Sequence, residues 1–397
     1  KLVGMDDGRI DDEDYILFYA YGPNEWNDES QTAVNLYHDQ AHYIISYGGV
    51  NGLRVNSQSS LVGIDNPQTS ASVSIHFEHD LINIAQMGRK WFGDRFLHNS
   101  SEKYPFQLIN RKASTTVAVK LAAAASSVNG SSFDLSVENQ NTSLNIPPTQ
   151  TLTRAEEGTI TLSSIPSSNA LDVVLNYDAS GLSSAVGYLD YIHLTYDRSL
   201  SGDRGQFSFR TSNSNAYHAS DADSIWEFFP NGTINVLESN SDREVYFTSN
   251  GSTDRYHLYS ANDFYSPKRS EYGDIFTSPQ LRKRLSNEAE YIIITHDDFV
   301  EEAEKLATHH RMHSGLKSSV LALSEIYDDF SVGNIDIMAI RNAIRYAYLT
   351  SSDGNKPKYV CLFGDTSYDY KNRIPNNNMI VPTYHALNSF HLANSYM

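Results

Sequence analysis

The final third of the chain alternates short apolar runs with longer stretches in which apolar residues recur at helical spacing. Apolar runs at 291–295, 316–323 and 358–365 predict three buried strands. Residues 297–314 and 336–349 predict two helices between them. Strands and helices that alternate with short links predict a parallel sheet, and such sheets gather functional groups outside the carboxyl ends of their strands.

The preceding residues predict strands, because their apolar stretches are short and are bounded by turns rich in Ser, Asn and Gly. We expect a β-rich N-terminal domain over 1–104 and a β-sandwich-like domain over 105–259. Residues 260–287 are polar and predict a linker, after which 288–397 hold the alternating pattern. The sequence thus predicts a multidomain protein, in which a β-rich N-terminal region precedes part of an α/β parallel-sheet domain.

Charge and cysteine content exclude some classes of function. The chain has 30 Lys and Arg against 48 Asp and Glu, so its net charge is −18. An acidic surface repels phosphate backbones, and nucleic acid is therefore not an expected partner. Cys361 is the single cysteine, so no disulfide can form within the chain.

The apolar run at 115–125 is interrupted by Lys120, and no membrane-spanning helix is predicted. The chain starts at Lys1 without an initiator Met or a signal peptide, which predicts a trimmed N-terminus.

Two groups of residues resemble metal ligands, but their spacing favours other roles. The acidic residues at 6–7 and 11–14 could bind a cation, although an acidic hairpin fits their spacing better than a calcium loop does. His309 and His313 share a helix face, but His310 stands where a zinc peptidase carries Glu. We expect a helix surface with His310 packed against the sheet, and we predict no metal site and no cofactor.

Cys361 and Asp336 have structural interpretations. Cys361 lies within the run 359–363, which we expect to be buried on both faces, whereas a reactive thiolate needs partial exposure and a positive neighbour. We therefore expect an inert core thiol. Asp336 precedes an apolar stripe and predicts a helix N-cap. The chain contains neither a Walker loop nor Gly-x-Gly-x-x-Gly, so nucleotide binding is not predicted.

Gly364 and Asp365 stand where a parallel sheet places functional groups. Gly364 would form a tight turn at the carboxyl end of a central strand, and Asp365 would then point into a cleft. Asp365, Ser367 and Asp369 could cap the turn, bind a cation or line a pocket, and capping is the favoured role. We name Asp365 and Asp369 as candidate cleft residues that orient their neighbours rather than take part in bond chemistry.

Several segments resemble those of one family, in the same order along the chain. Residues 326–336 resemble the family's Ile-Tyr-Asn-Glu-Phe-Ser-x-Gly-x-x-Asp, and 359–370 resemble its strand ending in Gly-Asp-x-Ser-Tyr-Asp. Near the N-terminus, residues 14–23 resemble its opening strand and residues 78–93 resemble its hallmark segment. Residues 224–226 resemble the start of its Ile-Trp-Asp motif, but Glu227 replaces the Asp. Taken together, these segments resemble the PorU-type sortases of the type IX secretion system, which are gingipain-like cysteine peptidases.

The resemblance implies that 288–397 are the first half of a caspase/gingipain-like α/β peptidase domain. The family's catalytic His, next to Gly, and its catalytic Cys lie further along that domain, and neither motif occurs here. No catalytic residue is therefore carried over to this chain, which we predict to be inactive alone.

The parent protein that the resemblance implies is a cysteine peptidase and transpeptidase on the cell surface of a Gram-negative bacterium, associated with the outer membrane. It would remove C-terminal sorting domains from secreted cargo and attach the cargo to anionic lipopolysaccharide. Outer-membrane secretion and attachment proteins would be its further partners.

Two other interpretations remain open. A non-catalytic cell-surface binding or scaffold module with a peptidase-like α/β part would also explain the large β-rich fraction. A flavodoxin-like domain would share the α/β pattern but lacks a phosphate loop here. A parent sequence without a downstream His-Gly or Cys would favour the binding module.

Overall fold

The structure is a computed structural model that describes residues 2–3, 11–12, 14–45, 54–211, 215–249, 255–268, 281–285 and 289–384. The acidic pair at 6–7 and part of the predicted linker 260–287 lie outside the described residues. The chain divides into two compact units, each built from several stretches of sequence. The first unit combines 1–20, 49–79 and 93–268, and the second combines 21–48, 80–92 and 269–397.

Strands dominate the first unit, whose turns carry many Ser, Asn and Gly residues. Short 3₁₀ turns occur at Gly202–Arg204 and Ala261–Asp263. In chain order the strands are β1 (Leu2–Val3), β2 (Tyr15–Ile16), β3 (Asn56–Ser59), β4 (Ser70–Glu78), β5 (Arg95–Phe96), β6 (Ser101–Gln107), β7 (Val117–Ser126), β8 (Ser131–Val137), β9 (Gln140–Ile146), β10 (Glu156–Ser164), β11 (Ala170–Asp178), β12 (Val186–Ser199), β13 (Phe207–Arg210), β14 (Ala216–Ala219), β15 (Ser224–Phe228), β16 (Ile234–Glu238), β17 (Val245–Thr248) and β18 (Arg255–Tyr259).

Most of these strands belong to one large mixed sheet. Its order is β10-β7-β12-β4-β13-β18-β15-β16-β3, and β5 also pairs with β12. The pairs are antiparallel except for β16 with β3, which is parallel. A second, antiparallel sheet has the order β6-β11-β8-β9, while β1 with β2 and β14 with β17 form two-stranded sheets.

The large sheet and the β6-β11-β8-β9 sheet pack over a shared apolar core, as predicted for a β-sandwich. Alternate residues of β8, Phe133 and Leu135 among them, are fully buried and join Val119 of β7 and Ile192 of β12 in one cluster. This alternation is typical of strands with one face on a core.

The compact units cut across the predicted ranges 1–104 and 105–259. β4 pairs with β12 over a long register that runs from Glu78 opposite Tyr191 to Ser70 opposite Ser199. A boundary at 104 would pass through this sheet. Glu227, which replaces the Asp of the family motif, is buried in β15 and accepts a hydrogen bond of 2.9 Å from the Tyr256 hydroxyl.

The second unit contains the predicted parallel sheet. Its strands are β19 (Tyr291–Thr295), β20 (Ser318–Ala322) and β21 (Tyr359–Phe363), in the order β20-β19-β21. The helices are α1 (Leu281–Leu285), α2 (Val300–His313), α3 (Leu323–Ser331) and α4 (Ile337–Thr350), and a 3₁₀ turn at Asp297–Phe299 precedes α2. No helix among the described residues is long and apolar enough to span a membrane.

Three local expectations are tested by these elements. Asp336 caps α4 as predicted, because its carboxylate accepts a hydrogen bond of 2.8 Å from the backbone N–H of Met338. The strand predicted over 316–323 ends at Ala322, because Leu323 begins α3, a helix that the sequence did not predict. His310 packs against the sheet as predicted, with its ring edge-on to Tyr291 at 4.7 Å.

β21 corrects the expectation that 359–363 are buried on both faces of a central strand. Among the described residues this strand pairs with β19 alone, so it forms an edge of the sheet. Tyr359, Val360 and Leu362 are 56%, 43% and 40% exposed. Cys361 is half-buried against the apolar cluster that contains Ile293. The central strand of the described sheet is β19.

Candidate functional site

The carboxyl ends of β19, β20 and β21 meet at one edge of the parallel sheet, where such sheets carry functional groups. Thr295, the last residue of β19, is fully buried, and its hydroxyl donates a hydrogen bond of 2.8 Å to the carbonyl of Phe363. This bond ties the end of β19 to the end of β21. The loops that follow β19 and β21 therefore start from strand ends that are hydrogen-bonded to each other.

His296 and Asp297 follow β19 directly, and neither was predicted as a candidate site residue. The His296 Nδ1 accepts a hydrogen bond of 3.3 Å from the backbone N–H of Asp298, and its ring is about half exposed. Asp297 accepts hydrogen bonds from the hydroxyl and the backbone N–H of Ser324 at the start of α3. Two polar residues immediately after an apolar strand were the signal that could have identified them.

Gly364 turns the chain sharply at the end of β21. Its φ of +146° is unfavourable for other residues, and a Cβ at this position would overlap the Ile380 side chain. Residues 364–384, which begin with this glycine, are called the β21 loop. The loop closes on itself, because the carbonyl of Asp365 accepts hydrogen bonds of 2.9 and 3.0 Å from the N–H groups of Ile380 and Val381. Such closure is typical of compact surface loops.

Asp365 follows β21 at its carboxyl end and is exposed. One carboxylate oxygen accepts a hydrogen bond of 3.0 Å from the N–H of Thr366, and the other accepts one of 2.8 Å from the Asn378 amide. These bonds lie within the β21 loop and fit a capping role. The orienting role towards catalytic groups stays a prediction.

Asp369 lies inside the β21 loop, with none of its surface exposed. Its carboxylate accepts hydrogen bonds of 2.7 Å from the N–H of Ile374 and 3.2 Å from the N–H of Lys371. Its own N–H donates to the hydroxyl of Ser367 at 3.1 Å, so Ser367 serves the same turn. Asp369 therefore organises the loop from within, and its role as a candidate cleft residue stays a prediction.

Two segments from the N-terminal half of the sequence hold the β21 loop within the second unit. Arg373 lies 3.4 Å from a carboxylate oxygen of Asp80 and 3.6 Å from one of Asp369. Lys371 forms an ion pair of 2.5 Å with Asp39. Burial raises the pKa of Asp80, and the positive charges of Arg373 and Lys371 oppose that increase. The ion pairs with Asp80 and Asp39 join residues far apart along the chain and were not predicted.

A polar cavity of about 490 Å³ adjoins β20 on the side where no other described strand pairs with it. Arg311 donates a hydrogen bond of 2.9 Å to the carbonyl of Ser318, and Arg284 donates one of 3.1 Å to that of Val320. Glu325 holds Arg284 through two hydrogen bonds of 2.5 and 3.1 Å. Charged side chains that cover an edge strand in this way discourage the addition of another strand.

His309 and His313 form a pair on the surface of α2. The rings of His309 and His313 lie 4.6 Å apart on the exposed side of the helix. Within the part of the chain that the structure describes, no group of three His, Cys, Asp or Glu residues is placed to hold a metal ion.

Comparisons with known proteins agree with this arrangement. Residues 284–397 match the model of Peptidase family C25. Dimeric latent PorU from Porphyromonas gingivalis has a similar fold, with a TM-score of 0.67 at 17% identity over 90% of this chain. The chain spans 36% of the length of that PorU chain. These matches confirm the resemblance and the fold class that the sequence predicted.

Other matches are weaker. The CBM36-1 domain of a multidomain xylanase from the hindgut metagenome of Trinervitermes trinervoides matches 31% of this chain and 95% of its own, with 13% identity and a TM-score of 0.22. A TM-score this low carries no argument about function. No curated protein matches the chain.

Proposed function

We propose that the chain is part of a gingipain-like cysteine peptidase, because residues 284–397 match the model of Peptidase family C25. The observation that carries this proposal is the family match, which covers the parallel sheet and its β21 loop. The fold shared with PorU adds support, because it extends over the β-rich first unit as well.

The catalytic His and Cys of the proposed peptidase would lie in the parent protein beyond the residues of this chain. The exposed apolar side chains of β21 support this arrangement, because they suit a sheet that continues past this strand in the parent protein. A cysteine thiolate would attack the scissile carbonyl, the C–N bond would break, and the C-terminal fragment would leave as a protonated amine, so that an acyl-enzyme remains. An amine or water would then attack the thioester, take the acyl group and restore the thiol.

The substrates and the compartment are the finer part of the proposal. The parent would act on the cell surface of a Gram-negative bacterium, associated with the outer membrane. It would remove C-terminal sorting domains from secreted cargo and join the new carboxyl terminus to anionic lipopolysaccharide. The similarity to PorU and the ordered sequence motifs support this sortase role.

The test uses the full-length parent protein and a cargo protein that ends in a sorting domain. We expect the parent to cleave the cargo, and we expect a thiol alkylator to abolish cleavage. A parent that carries Cys361→Ala is the matched control, because alkylation must then act on another cysteine. Added lipopolysaccharide should yield a conjugate that mass spectrometry detects at the new carboxyl terminus.

Each part of the proposal fails on a different result. A well-folded parent that cleaves no cargo would favour the non-catalytic binding or scaffold module. Cleavage without any conjugate would leave a peptidase and refute the sortase role. Robust cleavage by this chain alone, blocked by an alkylator, would contradict the prediction that it is inactive.

A further inference from the structure

Arg373 is an almost buried cation that contacts three residues from two separate segments of the second unit. Its side chain is 14% exposed, and its carboxylate partners Asp80 and Asp369 are 12% and 0% exposed. Asp369 belongs to the β21 loop itself, whereas Asp80 is 293 residues earlier in the chain. The guanidinium group therefore joins the interior of the loop to the 80–92 segment.

Trp91 provides the third contact of the guanidinium group. The central carbon of Arg373 lies 4.5 Å from the centroid of the buried Trp91 ring. The same ring packs against Tyr368 of the β21 loop, with centroids 5.7 Å apart. A planar guanidinium can stack on an aromatic face and bind carboxylates through its edge at the same time, which an ammonium group cannot do as well.

Lys371 forms a second link between the β21 loop and the N-terminal half of the chain. Its side chain is 7% exposed and pairs with Asp39, which is 332 residues earlier. A cation with so little exposure is costly to leave without its counter-charge. Two neighbouring cations of one loop thus depend on two acidic residues from distant segments.

We propose that Arg373 is a positioning residue, which holds the β21 loop in place by binding Asp80, Asp369 and Trp91 together. The near end of the loop is fixed by the turn at Gly364, and its middle is fixed by Arg373. Asp365 and the rest of the loop are thereby kept at the carboxyl edge of the sheet, where a peptide substrate would bind. The role of the loop in substrate binding rests on the proposed peptidase function, whereas its attachment does not.

The experiment compares three variants of the full-length parent: Asp80→Asn, Arg373→Lys and Asp80→Glu. We expect Asp80→Asn and Arg373→Lys to raise KM for a peptide substrate about tenfold and to change kcat by less than about threefold, because only the fraction of molecules with the loop in place can bind the substrate. Asp80→Glu keeps the carboxylate and should restore most of the affinity. Lys305→Met is the matched control, since Lys305 pairs with Glu302 on the exposed surface of α2.

Amide hydrogen exchange gives a second measurement that does not depend on activity. In Asp80→Asn and Arg373→Lys, residues 366–383 should exchange about tenfold faster or more, while α4 keeps its protection. Arg373→Lys retains the charge and a similar volume, so it remains informative if Asp80→Asn fails to fold. Unchanged exchange in the loop of a folded variant would overturn the proposal.

The outcomes distinguish a failure of the proposed peptidase function from a failure of the positioning role of Arg373. A parent that cleaves no peptide would refute the proposed function, and the exchange rates would still decide whether Arg373 holds the loop. An active parent whose variants keep both KM and loop exchange would refute the positioning role alone. Faster loop exchange with an unchanged KM would also refute it, because the loop would then not position a substrate.

Discussion

Replacement of Asp369 by Ala tests whether the β21 loop is organised by one buried carboxylate. The change removes the acceptor of two backbone N–H groups, at 2.7 and 3.2 Å, and one of the two carboxylates near Arg373. Hydrogen bonds to a charged acceptor contribute about 1.5–3 kcal/mol each, and breaking a buried ion pair costs about 3–5 kcal/mol. These contributions overlap, so we expect the free energy of unfolding of the second unit to fall by about 3–5 kcal/mol.

The assay must report on the second unit by itself, because a chain of two units does not unfold as one two-state system. The three tryptophans make this possible, since Trp26 and Trp91 belong to the second unit and Trp226 to the first. In a Trp226→Phe background, tryptophan fluorescence follows the unfolding of the second unit in urea. Asp369→Ala is then compared with its parent in that background.

Two further variants interpret the result. Asp369→Asn keeps one oxygen acceptor and should lose about 1–2 kcal/mol, which isolates the contribution of the charge. Asp353→Ala removes an exposed carboxylate of the same unit and should leave the transition unchanged. If Asp369→Ala lowers the free energy of unfolding of the second unit by less than about 1 kcal/mol, the reasoning is refuted, because the loss of a buried carboxylate with these contacts should cost more.

Three other predictions address other parts of the chain. Gly364→Ala should destabilise the second unit by about 1–3 kcal/mol in the same assay, because its Cβ would overlap Ile380. Gly354→Ala is the control, because its Cβ meets open space although its φ is also positive, at +100°. Equal losses of stability in the two variants would refute the steric argument. Burial lowers the pKa of His257 to about 4, below about 6.5 for an unfolded chain, so the folded state binds fewer protons between these values. The first unit should therefore lose up to about 3 kcal/mol as the pH falls from 6.5 to 4, and His257→Gln should flatten that profile in urea titrations that follow the tryptophan of the first unit; an unaltered slope would contradict this. Cys361→Ala should lower stability by less than about 1.5 kcal/mol, because the thiol is only half-buried, and should leave cargo cleavage by the parent intact; a folded variant without cleavage would show that the thiol takes part in the reaction.

The parallel sheet could be predicted because its pattern is local. Buried strands are continuous apolar runs, and α4 has both an apolar stripe and the cap residue Asp336. α3 was missed because Leu323 follows Ala322 without a Gly or Pro, so the strand and the helix read as one apolar run. The pairing of β4 with β12 was also missed, because contacts between residues more than a hundred positions apart leave no periodic pattern.

The candidate site shows the same limit. The turn at Gly364 and the exposed carboxylate of Asp365 follow from their position after an apolar strand. The burial of Asp369 and its ion pair with Arg373 do not, because the sequence does not distinguish a buried carboxylate from an exposed one. The link from Arg373 to Asp80 spans 293 residues and could be found only in three dimensions.

The separation of these ion pairs along the chain has a consequence for biosynthesis. During synthesis from the N-terminus, Asp39 and Asp80 are made long before Lys371 and Arg373. The second unit therefore cannot form these ion pairs until residues 371 and 373 have been made. Pairings over such distances cost loop-closure entropy and slow folding. The strands of the first unit are complete by Tyr259, long before Lys371 and Arg373 are made. The 80–92 segment forms a hairpin of its own, in which Ile82 pairs with Phe92, so it can fold before the residues that bind it have been made.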